Sequence, residues 1–75
     1  MMGNSFSERL KEARKKKGLS VQKLANKSGV AKTQIYKYEA GQTEPRLPPL
    51  IWLADTLEVS IDWLAGRANN GEKAD

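Results

Sequence analysis

The chain has no cysteine and no histidine among its 75 residues. Disulfide staples are therefore excluded, and so are zinc sites built from the usual Cys and His ligands. Ser–His and Cys–His nucleophile pairs are excluded too. Paired carboxylates at plausible spacing and a phosphate-cradling glycine loop are also missing, so an enzyme ranks lowest among the function classes. No metal and no cofactor is implied. The longest apolar run, Leu50-Ile51-Trp52-Leu53-Ala54, falls far short of the roughly 20 residues of a membrane span and suits a buried helix face. The N-terminus enters a polar segment directly, without a signal peptide's apolar stretch. Met2-Gly3-Asn4-Ser5-Phe6-Ser7 superficially matches a myristoylation signal, but Gly3 stands behind two methionines and the match is read as chance. Lack of cysteine fits a cytoplasmic protein.

What is present is charge, unevenly spread. Hydrophobic residues make up 39% and charged residues 29%, which suits one small globular domain and no disordered tail protein. The net charge is +4. Residues 1–46 carry 11 Lys/Arg against 4 Asp/Glu, whereas residues 47–75 carry 2 against 5. One half is a polycation and the other mildly acidic. Such asymmetry points to an anionic partner met by the first half, nucleic acid first and a membrane surface second. The lysines of the first helix gather at its end and not along one face, so no membrane partner is expected.

The pattern predicts an all-α fold of five short helices, with flexible residues at 1–4, a domain over 5–66 and a polar disordered tail over 67–75. Ser5 followed by Glu8 has capping-box spacing and opens helix one. Phe6, Leu10, Ala13 and Lys17 share one of its faces, and it stops at Lys17-Gly18. Ser20 caps a second helix from Val21 to Lys27, with Leu24 and Ala25 inward and Gly29 as its end. A third helix runs from Ala31 to Glu39 and buries Ile35 and Tyr38. Pro48 and Pro49 fit the first turn of a fourth, which buries Leu50, Leu53, Ala54 and Leu57. Ser60 caps a fifth, Ile61 to Ala65, with Ile61 and Leu64 inward.

Helices two and three are joined by a tight turn. Ala25 is small enough for a steep approach, and Gly29 supplies the positive φ such a turn needs. The outward residues of helix three, Lys32, Thr33, Gln34, Tyr36 and Lys37, all form hydrogen bonds and none is acidic. A generic surface helix mixes acids with lysines; this one does not. A helix about 10–12 Å across fits the B-DNA major groove, about 12 Å wide. Lysine can donate to guanine O6 or N7, glutamine can pair with adenine, and the threonine methyl can meet that of thymine.

The ordered set Leu19-Ser20, Leu24-Ala25, Gly29-Val30, Ile35, Glu39, Gly41, Pro45, Leu53-Ala54, Leu57 and Val59 to Gly66 resembles the lambda-repressor-like, Cro-type helix-turn-helix regulators, the xenobiotic-response-element family. The likeness covers Phe6 to Gly66. It implies the five-helix fold and an operator-DNA ligand. Carried over by position, it makes Ala31, Lys32, Thr33, Gln34 and Lys37 the base-contacting set. It places Val21, Gln22, Tyr36, Gln42, Thr43 and Arg46 on the DNA backbone, with the amides of Val21 and Gln22 clamping a phosphate. Arg14 and Glu39 match a family ion pair between helices one and three that orients the recognition helix. Val21 stands where the family commonly has Gln, so the side-chain contact there is lost. Ala31 stands where Ser or Thr often caps helix three, and Glu44 brings an acid near the phosphate path.

The function expected from all this is a sequence-specific binder of double-stranded DNA, a repressor acting by operator occupancy. Trp63 is expected in the core. Trp52 falls on the outer side of helix four and is a possible dimer contact, giving a homodimer on DNA. No small-molecule ligand is implied. The competing reading is a helical protein-interaction module, antitoxin-like or a controller, docking through helices four and five around Trp52, Asp55, Glu58 and Asp62.

Overall fold

Serine opens three of the helices. Ser5, Ser20 and Ser60 hold extended backbone, and their hydroxyls accept from the amides of Glu8, Lys23 and Trp63. Those amides are among the donors that a first helical turn leaves without partners. The computed structural model describes residues 5–66 and contains α1 (Phe6–Lys16), α2 (Val21–Ser28), α3 (Lys32–Glu39), α4 (Leu47–Leu57) and α5 (Ile61–Leu64). No strand occurs among the described residues, so the fold is the all-α one expected. The flexible N-terminus expected over 1–4 and the tail expected over 67–75 lie outside these residues. No described helix is long and apolar enough to cross a membrane.

Each helix contributes one side chain sealed from solvent: Leu10, Leu24, Ile35, Leu53 and Leu64. Each such burial stabilises by about 1.5–3 kcal/mol relative to exposure. Around them close Phe6, Ala13, Val21, Val30, Tyr38, Leu50, Ala54, Leu57 and Trp63. α1 packs on α3 and α5, α2 on α3 and α4, and α4 on α5. Thus α3 is backed by two helices that fix its orientation. α4 starts with Pro48 and Pro49 in its first turn, where their missing N–H groups cost little. It ends on Glu58, at φ 60° the one non-glycine residue with positive φ among those described.

Five details depart from the sequence expectation. Ile61 is exposed, and Trp63 and Leu64 carry the burial of α5. At 100° per residue, Ile61 sits about 110° from the direction midway between those two, so a single turn cannot bury all three. α5 stops at Leu64, with Ala65 as its C-cap. Lys17 is the C-cap of α1 and already outside the helix; it is exposed and pairs with the Glu58 carboxylate. α2 continues to Ser28, while α3 begins at Lys32 with Ala31 as its N-cap. Arg9, unremarked in the sequence, is buried: its Nη1 donates to the Trp63 carbonyl at 2.6 Å and its guanidinium lies 5.0 Å from that ring's centroid. A desolvated cation–π contact of this kind is worth about 2 kcal/mol and fastens α5 to α1.

Candidate nucleic-acid interface

The turn between α2 and α3 is made by three consecutive residues. Gly29 takes φ +82° and its N–H closes on the Ala25 carbonyl at 3.0 Å. No heavy atom lies within 4 Å of where a Cβ would stand, so the left-handed backbone and not space selects glycine here. The Ser28 hydroxyl accepts from Val30 N–H at 3.1 Å, and the Val30 side chain plugs the core. Ala31 then turns the chain into α3 with extended backbone and no side-chain cap; its carbonyl instead accepts from both Gln34 and Ile35, each at 3.0 Å.

Because Ile35 and Tyr38 face inward, the opposite side of α3 faces solvent. Ala31, Lys32, Thr33, Tyr36 and Lys37 are exposed and Gln34 is half-buried. The helix's single acid is removed from this strip. Glu39 turns toward α1, where its carboxylate accepts from Arg14 Nε at 2.6 Å and from Nη2 at 3.0 Å, in a pair whose side chains are only 13% (Arg14) and 8% (Glu39) exposed. A third Arg14 nitrogen donates to the Leu19 carbonyl at 2.9 Å, one residue before the cap of α2. Arg14 therefore joins α1, the entry to α2 and the end of α3. The Glu39 hydrogen bond, with its charge behind it, outweighs burial and raises the Arg14 pKa above its ordinary value.

The other candidate positions divide between side chain and backbone. Val21 is buried, so it offers a ligand only its amide at the start of α2. Gln22 is exposed, and its side-chain amide donates to Asn26 Oδ1 at 3.0 Å. The four-residue spacing of that pair was there in the sequence and unused. Gln42, Thr43, Glu44 and Arg46 are exposed on the loop after α3. Gln42 is tied to α3 by its N–H bond to the Lys37 carbonyl at 3.0 Å. Trp52 is 49% exposed on α4, away from the α3 strip in sequence and on a helix that packs on α2 and α5. Among the described residues no His, Cys, Asp and Glu group could hold a metal ion.

Comparison with known proteins gives concordant matches. A family model described as helix-turn-helix matches residues 10–64. The HTH-type transcriptional regulator YqaE of Bacillus subtilis, itself uncharacterised, is 40% identical over 65 residues, covering 87% of this chain and 56% of that protein. The chain spans about half the length of the curated relatives it matches. The DNA-binding domain of the P22 C2 repressor superposes with a TM-score of 0.80 at 30% identity, covering 88% of this chain and 87% of that one. SinR, the master regulator for biofilm formation, solved in complex with DNA, gives 0.74 at 39% identity, covering 77% and 97%.

Proposed function

The chain belongs to the helix-turn-helix family, and from that premise we propose that it is a sequence-specific regulator of transcription that binds double-stranded DNA through α3. The observation that carries this reading is the exposed, acid-free strip on a helix backed by α1 and α2. Lys32 and Lys37 donate to guanine edges, Gln34 meets adenine, and the methyls of Ala31 and Thr33 meet thymine. The amides of Val21 and Gln22 hold one phosphate, while Tyr36, Gln42, Thr43 and Arg46 grip the backbone beyond it. The two groups of backbone contacts set the register; the α3 side chains read the bases.

The regulator acts as a cytoplasmic repressor, by occupying an operator as a homodimer on two half-sites about 34 Å apart. The P22 relative, named a repressor, supports the sign of the effect. The exposed Trp52 supports a protein contact on α4, and in this reading the second subunit provides it. No reaction chemistry has a part in the activity.

Binding curves over a panel of duplexes of varied sequence test the assignment. Lys32→Ala and Lys37→Ala should each weaken the preferred duplex by about tenfold and flatten the ranking among duplexes. An unchanged ranking in both variants would remove α3 from base recognition.

A further inference from the structure

We propose that Asn26, held in place by Gln22, is a further contact to the DNA backbone, made by a side chain of α2. The inference rests on the DNA reading above and extends it to a residue outside the α3 strip. The outward side of α2 consists of Gln22, Lys23, Asn26 and Lys27, all exposed and none acidic. Gln22 and Asn26 stand four residues apart on one helix face, and Gln22 Nε2 donates to Asn26 Oδ1 at 3.0 Å. That bond occupies the Asn26 oxygen and leaves both N–H donors of Nδ2 to other acceptors. A phosphate oxygen is such an acceptor, and asparagine is among the side chains that bind it.

Position around α2 decides which surface the pair serves. Val21 and Leu24 are buried and Ala25 and Ser28 half-buried, so these four mark the inward side. At about 100° per residue, Gly29, where the chain leaves α2 for α3, lies about 80° round the axis from Val21. Gln22 and Asn26 lie at about 100° and 140°, beside that exit, whereas Lys23 and Lys27 lie at about 200° and 240°, farther from it. The pair therefore flanks the start of α3, where the exposed Ala31, Lys32 and Thr33 open the strip. A duplex seated on the strip carries its backbone past this flank.

Val21 is buried and brings only its amide to the phosphate at the start of α2. Asn26, one turn along, adds the side-chain donor that Val21 lacks. Gln22 is a positioning residue: it restricts the Asn26 carboxamide beforehand, so less side-chain freedom is lost when the phosphate binds. A phosphate contact carries no base information, so it strengthens binding to every sequence alike.

Duplex titrations of the full chain at several salt concentrations test this. Asn26→Asp keeps an oxygen acceptor for Gln22 but sets carboxylate charge where Nδ2 was; it should weaken every duplex at least tenfold and leave their ranking unchanged. Asn26→Lys should tighten binding at least threefold and steepen the log–log salt slope by about 0.9, the mark of one further neutralised phosphate. Gln22→Ala should weaken binding at least twofold in the unmodified chain and not at all in an Asn26→Ala background. The slope and this coupling are readouts that a loss of folding stability would not produce. Undiminished affinity in Asn26→Asp, a salt slope unmoved in Asn26→Lys, or equal Gln22→Ala losses in both backgrounds would overturn the proposal. A changed ranking among duplexes would move Asn26 from phosphate to base and overturn it likewise. Any of these leaves the DNA reading standing where Lys37→Ala still weakens the preferred duplex; an unmodified chain that binds no duplex overturns that reading and this contact with it.

Discussion

At the scale of single residues, Arg14 and Glu39 carry the largest consequence. The pair is mostly shielded from water, so removing one partner strands the other's charge. Glu39→Ala should destabilise the fold by roughly 3–5 kcal/mol, a large share of what a small domain ordinarily has; urea unfolding measures it. The double replacement Arg14→Met with Glu39→Leu should recover most of that loss, because apolar residues of similar size substitute well for buried ion pairs. A single variant as stable as the parent would mean the pair contributes nothing. The raised Arg14 pKa makes this contribution fully present below the ordinary arginine range, and it is lost only as pH rises through the raised value. Across neutral pH it is constant.

At the scale of elements, α3 is the helix with the weakest start. Ala31 offers no side-chain acceptor, whereas Ser5, Ser20 and Ser60 each offer one. Ala31→Ser should therefore stabilise the protein by about 1 kcal/mol, which raises the thermal midpoint by roughly 4–8 °C in a domain of this size. A midpoint unmoved by the substitution would mean that the paired bonds to the Ala31 carbonyl already hold the first turn. Most elements were legible from local chemistry: serine caps, Gly29 at a positive φ, and apolar residues spaced for one helix face. The α3 strip was legible by elimination, since burying Ile35 and Tyr38 leaves only one side for Lys32, Thr33 and Lys37. Where legibility failed, the deciding partner lay outside the element. Arg9 reads as a solvent-facing cation until Trp63, 54 residues away, supplies both a carbonyl and a ring. Ile61 reads as core until the Trp63–Leu64 direction claims the only face a one-turn helix has.

At the scale of the whole molecule, the charge asymmetry and the fold agree. The basic half contains α1, α2 and α3, and the acidic half contains α4 and α5. A polyanion is therefore drawn to the helix-turn-helix side and repelled from the α4–α5 side. The proposed function requires the α3 strip to read base sequence from the major groove. Selection of binding sites from random duplexes by the unmodified chain at low ionic strength tests it most directly. The expected product is one enriched motif, repeated in inverted orientation with half-site centres about 34 Å apart, and enriched far less by Lys37→Ala. Recovery of a sequence pool indistinguishable from the input, despite measurable duplex binding, would contradict it.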